Sequence, residues 1–273
     1  MLNDLLELAR TAGRIAKEHA GVERDVASKG RGDWVSHVDR LIEDTLRSRI
    51  RARHPLHQIL GEEGGGTIEA HRPLWIIDPI DGTTNYLRGI PAWAVSIALC
   101  EPRPAGFEPR YAVVYDPVRD EAFTAEAGAG AWLNGRRIYV SGCDRIEDAL
   151  LASALPFRFP EHLDACSGVF LDLTRRSEDH RRGGAASLDL AYVAAGRLDG
   201  YYELGIYPWD TAAGELLVRA AGGLATDYAG STANLPARRS IVAAATPALH
   251  STLLQAVAPL VPRATALPGP ITG

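Results

Sequence analysis

Residues 75–91 read WIIDPIDGTTNYLRGIP, and the reading of the whole chain turns on them. With Leu74 they place four apolar residues, Leu74, Trp75, Ile76 and Ile77, directly after Pro73, a run that predicts a buried strand. The strand delivers Asp78 and Asp81, followed by Gly82, Thr83 and Thr84. Two carboxylates at the mouth of a buried strand repel each other, and burial penalises their charged forms, so a cation is the natural way to keep both ionised. Pro79 stiffens the turn between them, and Gly82 lets the backbone approach a ligand closely. The hydroxyls and amides of Thr83 and Thr84 suit an anion. Hard-cation ligands beside phosphate donors point to metal-assisted phosphate chemistry. The DPIDG piece alone is also compatible with an ordinary turn, since Asp-Gly is a common turn dipeptide. A calcium loop is excluded, because Ile80 and Gly82 fall where such a loop needs oxygen side chains.

Composition sets the frame. The chain has 273 residues, enough to bury a large core, and a net charge of -5 from 29 basic and 34 acidic residues. That balance gives no overall pull toward nucleic acid or anionic membrane. No apolar run approaches the roughly 20 residues that cross a bilayer, and the acidic N-terminal stretch does not resemble a secretory signal. Cys100, Cys143 and Cys166 have no ligand-like spacing and are expected as free thiols in a reducing, cytoplasmic setting.

Helical spacing of apolar residues predicts a helix over 2–20 and a second one starting at Ser36, where Ser36 and Asp39 stand in capping-box spacing. Residues 56–60 read as a strand delivering GEEGGG. Further strands are expected at 93–99, 111–115 and 122–125, with Asn134-Gly135 as a hairpin turn. Helices are expected at 186–195 and 211–221, closed by Gly196 and Gly222-Gly223. Residues 1–260 are expected to form one domain of two packed halves, about 1–140 and 141–260, with 261–273 as a disordered tail.

Other candidates lie further along. Adjacent side chains on an extended segment diverge, so only one of Glu62 and Glu63 is expected to face a shared site. Asp210, between Pro208-Trp209 and a helical stretch, is placed at an N-cap position. Lys29 reads as a surface lysine or as a loop cation near phosphate. Arg175, Arg176, Arg181 and Arg182 read as a solvated or interface patch. His54 and His57 lack companion metal ligands.

Taken together, GEE, DPIDGTTN and PWDTAAGELLVRAAGG, in this order and spacing, resemble the inositol monophosphatase family. The similarity extends over roughly residues 5–255, through KGRGDWVSHVD, AVVYDP, AWLNG and RRGGAASLDLAYVAAGRLDGYYE. It implies a mixed α/β fold, a five-layered αβαβα sandwich, and Mg2+-dependent hydrolysis of phosphate monoesters by a lithium-sensitive homodimer. Carried over by position, Glu62, Asp78 and the Ile80 carbonyl would bind one Mg2+, and Asp78, Asp81 and Asp210 a second. A third, weaker Mg2+ would sit near Glu62. Phosphate would rest on the amides of Gly82 and Thr83, and Thr83, linked to Glu62, would orient the attacking water for direct in-line attack. Glu203 would hydrogen-bond the inositol ring, with Gly184, Ala185 and Ala186 lining the substrate. Ala185 stands where relatives commonly carry Ser or Thr, which removes a hydroxyl from the ring site.

The resemblance implies inositol 1-phosphate as substrate. The alternatives within the fold are fructose 1,6-bisphosphate, NADP and other sugar or nucleotide phosphates. Thr84-Asn85, in place of a Lys after the first Thr, favours the inositol branch. A reading of another class is a regulatory protein that binds a macromolecular partner, with phosphatase activity secondary. A nucleic-acid or protein partner is not expected as the main role.

Overall fold

The structure, a computed structural model, describes residues 1–21, 26–30, 33–232, 235, 237 and 239–267, with the backbone alone at 26–30 and 33–36. The first helix, α1 (Leu2–His19), buries Leu5, Leu8, Ala9, Ala12 and Ala16 along one face, as their helical spacing requires. A two-stranded ribbon, β1 (Val26–Gly30) and β2 (Asp33–Ser36), leads into α2 (His37–Arg53). The cap expected from Ser36 lies outside the described side chains.

A seven-stranded sheet follows, with its strands in sequential order. Its members are β3 (Gln58–Gly61), β4 (Leu74–Asp81), β5 (Ala94–Arg103), β6 (Gly106–Asp116), β7 (Glu121–Glu126), β8 (Gly130–Leu133) and β9 (Arg136–Arg137). A short helix, α3 (Thr83–Leu87), is inserted after β4. The β8–β9 turn at Asn134 and Gly135 has φ of 48° and 79°, the positive pair that a tight two-residue hairpin requires.

The second half forms a five-stranded sheet in the order β11-β10-β12-β14-β13. These strands are β10 (Leu150–Ser153), β11 (Asp179–Arg181), β12 (Gly200–Leu204), β13 (Leu224–Thr226) and β14 (Ser240–Ala244). Its helices are α4 (Leu163–Arg176), α5 (Ala186–Ala194), α6 (Pro208–Ala220), α7 (Pro247–Val257) and α8 (Val261–Ala266).

Three buried clusters define the layers. On β4, Trp75 and Ile77 pack toward α1 and α2, while Leu74 and Ile76 pack toward α5 and α6. Successive residues of a strand face opposite sides, so a sheet covered on both faces must be apolar at every position. That is why the segment reads as a continuous apolar run. The other face of α5 and α6 meets the five-stranded sheet, whose outer side is covered by α4 and α7. The result is the αβαβα sandwich. Burying each large apolar side chain contributes about 1.5–3 kcal/mol, so β4 is anchored from both sides up to the residue that carries Asp81.

Most strand ends shift by one to a few residues from the sequence expectation, and two differences lie in the second half. Helix α6 begins at Pro208, because proline is tolerated in the first turn of a helix. The expected tail is partly helical, since α8 carries Pro262 in its first turn and Val261, Ala264 and the following Leu267 pack against the outer core. Residues 268–273 lie outside the described residues. No described helix is long and apolar enough to cross a membrane.

Candidate active site

The aspartates owe their placement to an irregularity in β4. Asp78 pairs with Ser96 and Asp81 with Ala94 on β5. Three steps on one strand are therefore matched by two on the other, a bulge at Pro79-Ile80. Residues three apart on a regular strand point to opposite faces; the extra residue returns Asp81 to the side of Asp78. Pro79 has no N–H to contribute to the ladder, so a bulge is where it is tolerated. The Ile80 amide donates to Asp78 Oδ1 at 3.0 Å, which fixes that carboxylate against the turn.

Asp210 arrives from the other half of the chain. Ligand atoms of Asp78, Asp81 and Asp210 all lie within 4.8 Å of one another. Asp210 is the third residue of α6 rather than its cap; Tyr207 holds the cap position, and its N–H donates to Asp210 Oδ2 at 2.9 Å. Ser96 Oγ donates to the Trp209 carbonyl at 3.0 Å, tying the start of α6 to the strand beside Asp78. Asp81 Oδ2 accepts from the Ser187 amide at 2.7 Å and its hydroxyl at 2.6 Å. Ala185, the residue capping α5, has no side-chain acceptor, so Asp81 satisfies the helix terminus from across the sheet interface.

These carboxylates line a cavity of about 370 Å³ together with Glu62, Asp189 and Glu203, opposed by Arg158 and Arg182. Glu63 is not among its lining residues. Burial raises Asp81 to about 7 against the two hydrogen bonds from Ser187, and raises Asp210 to about 8, with the charge of Asp81 adding to the rise. Asp78 is raised well above the ordinary carboxylate range, first by burial and then by Glu62, Asp81 and Asp210. Glu203 rises to about 7 by burial, although the Tyr201 hydroxyl opposes the shift. Carboxylates this close and this buried resist ionisation unless a cation joins them. The donor set is hard oxygen throughout and suits Mg2+.

The turn that carries Glu62 is held by a buried pair. Glu43, 2% exposed, accepts the amides of Glu63 at 2.8 Å and Gly64 at 2.7 Å. Arg47 bonds Glu43 at 2.8 Å and the Gly65 carbonyl at 2.6 Å. A Cβ at Gly61 would stand 2.5 Å from the Glu43 carboxylate, which accounts for glycine there. Gly82 has φ of 90° and a Cβ there would lie 3.1 Å from the Gly184 carbonyl, so the approach of the two halves also requires glycine. Thr83 Oγ1 donates to the Ile80 carbonyl at 3.1 Å. Gly184, Ala185 and Ala186 line the cavity.

Several placements depart from sequence reasoning. Arg182 is exposed, as expected, but also lines the cavity, whereas Arg176 and Arg181 pair locally with Asp172 and Asp179. Arg158, Asp189 and the Glu43–Arg47 pair had no local signal, since none belongs to a short motif. His57 Nδ1 accepts from Trp75 Nε1 at 3.0 Å, a structural role. Cys100, Cys143 and Cys166 form no disulfide among the described residues. The side chain of Lys29 lies outside the described residues.

A buried carboxylate cluster suited to Mg2+, set beside a glycine turn at the junction of two sheets, defines a phosphatase of the two-sheet sandwich class. The profile described as the Inositol monophosphatase family matches residues 1–261, and the chain belongs to that family, whose members are in general Mg2+-dependent. The chain is 49% identical over 242 residues to the Nus factor SuhB of Pseudomonas aeruginosa, covering 85% of this chain and 86% of that one. Among solved structures it resembles the extragenic suppressor protein SuhB of Bartonella henselae, with a TM-score of 0.85 and 38% identity over 93% of this chain and 97% of that one. A Thermotoga maritima IMPase matches with a TM-score of 0.84 and 32% identity, covering 96% of this chain and 98% of that one.

The two roles of Asp210 are separable by substitution. Asp210→Asn keeps an acceptor for the Tyr207 amide and removes the charge. It is expected to melt close to the parent in metal-free buffer while losing most turnover. Asp210→Ala also loses the hydrogen bond, a further cost of about 0.5–1.5 kcal/mol. Thermal melts in EDTA, paired with Mg2+ titrations, check both statements, because bound metal stabilises only a protein able to hold it. An Asn variant with parental turnover would reduce Asp210 to a structural residue.

Proposed function

We propose that the protein hydrolyses phosphate monoesters of inositol and related polyols in a Mg2+-dependent reaction. The observation that carries this reading is the convergence of Asp78, Asp81 and Asp210 within 4.8 Å at the floor of the cavity. Glu62, Asp78 and the Ile80 carbonyl would hold one Mg2+, Asp78, Asp81 and Asp210 a second, with room for a weaker third beside Glu62. The ions supply Lewis-acid charge that offsets the repulsion between a phosphate dianion and its nucleophile.

The chain's own residues do the rest. The amides of Gly82 and Thr83, at the start of α3, receive phosphate oxygens, because first-turn N–H groups have no intrahelical partner. Thr83, linked to Glu62, orients the attacking water and accepts its proton, and the displacement is direct, without a covalent enzyme intermediate. Glu203 accepts from the ring, while Gly184, Ala185 and Ala186 shape the wall. We further propose a cytoplasmic, lithium-sensitive homodimer.

A panel of inositol, sugar and nucleotide phosphates assayed for phosphate release with Mg2+ tests the substrate assignment. Inositol 1-phosphate is expected to be turned over most efficiently. A clear preference for fructose 1,6-bisphosphate or NADP would replace it. A second reading is favoured by the 49% identity to a protein named a Nus factor, namely that this chain also acts as one by binding macromolecular partners. A variant dead in catalysis that keeps such a role in cells would separate the two functions.

A further inference from the structure

The cavity contains a carboxylate that none of these roles uses. Asp189 lies on α5, is 7% exposed and lines the cavity. Its backbone amide donates to the Ala185 carbonyl at 3.0 Å, but among the described residues its carboxylate has no hydrogen-bond or ion-pair partner. Burial first, and then the charges of Asp81 and Glu203, raise its carboxyl well above the ordinary range. Glu203 lines the same cavity and is bonded by the Tyr201 hydroxyl.

The backbone opposite keeps room for this group. Gly183 is pinned by Asn85, whose Nδ2 donates to the Gly183 carbonyl at 2.9 Å and to the Ala92 carbonyl at 2.6 Å. A Cβ on Gly183 would stand 2.6 Å from Asp189 Oδ1. Thus the loop between β11 and α5 carries no side chain at the one point where it would displace the carboxylate. A carboxyl on a cavity wall with no protein donor keeps its acceptor oxygens open to whatever enters the cavity. A ligand rich in donors at this end of the cavity satisfies them.

From this geometry we propose that Asp189 acts with Glu203 as a hydroxyl-binding wall, accepting hydrogen bonds from neighbouring hydroxyls of a polyol leaving group. The inference rests on the polyol phosphatase reading above and adds a residue that decides which leaving group is accepted. Carboxylates accept hydrogen bonds and donate none when ionised. A polyhydroxylated ring satisfies such a wall, and an aryl ester leaves it unpaired. A site built to bond hydroxyls discriminates strongly against analogues that lack them.

The test compares phosphate release from myo-inositol 1-phosphate and from p-nitrophenyl phosphate in the parent, Asp189→Asn and Asp189→Ala. Loss of the hydrogen bond, together with the ring hydroxyl it leaves unpaired, predicts that kcat/KM for the inositol ester falls about 10–100-fold in Asp189→Ala. The Asn variant, which retains one acceptor, is expected to lose less and serves if the Ala variant does not fold. For p-nitrophenyl phosphate the change is expected to stay within about threefold, and the half-saturating Mg2+ concentration within about twofold. Equal losses on both esters, or no loss on the inositol ester, in a parent that prefers inositol phosphate would overturn the assignment of Asp189 alone. A parent with no preference for the polyol ester would overturn the polyol reading and the wall with it.

Discussion

Asp81→Asn is expected to lower turnover by at least about a hundredfold, the scale on which loss of charge at a metal-assisted site acts, while leaving the fold in place. The side chain keeps its shape, and one amide oxygen still accepts from Ser187, whose amide and hydroxyl lie at 2.7 Å and 2.6 Å. The anchoring of α5 therefore survives. What is lost is one of three carboxylates whose ligand atoms lie within 4.8 Å of one another, and with it, on the proposed ligand set, affinity for the second cation. Circular dichroism should match the parent, and the Mg2+ titration of activity should move to higher concentration with a lower plateau. A variant that binds Mg2+ and turns over like the parent would remove Asp81 from the ligand set.

Removing the metal is expected to abolish activity and to make stability depend on pH in a defined direction. In the unfolded chain these carboxyls ionise near 3.8, whereas in the folded protein Asp81 does so at about 7 and Asp210 at about 8. Between those limits the folded state holds more protons than the unfolded state, so raising the pH favours unfolding. The stabilisation is complete below the unfolded value and is lost as the pH passes through about 7 to 8. In EDTA the melting temperature should therefore fall across this range. With Mg2+ the ionised carboxylates are matched by the cation, and the gap between the two melting curves should widen from about pH 5 to about pH 8. A gap that stays constant, or narrows, would argue that the cluster is not a cation site. Undiminished turnover in EDTA-treated protein would do so directly.

Much of the architecture is legible in local patterns. Helices α1, α2 and α5 follow from apolar residues at helical spacing, and the central strands from runs bounded by Gly, Pro and Asn. The GEE, DPIDGTTN and PWD motifs identify the family because their order and spacing together are rare. Residues outside those motifs were silent. Asp189 sits in an apolar helical stretch that reads as core. Arg182 reads as one of several exposed arginines, which it is, and nothing local told that it also borders the cavity. Glu43, which no motif singles out, is 2% exposed.

The chain by itself determined the strand that carries the aspartates and the kind of chemistry they suit, while the layer order came only through the family resemblance. The first two depend on short-range sterics and on which faces must be apolar. Only the tertiary structure decided that Asp78 and Asp81 share a face, since the bulge at Pro79-Ile80 is defined by the pairing of β4 with β5. It also decided that Asp210 is the third residue of its helix, and that Asp81 holds Ser187 from 106 residues away. The cavity wall of Arg158, Arg182 and Asp189 exists only once the two sheets close around α5 and α6. Such meetings depend on how whole layers pack, and no window of sequence contains both partners.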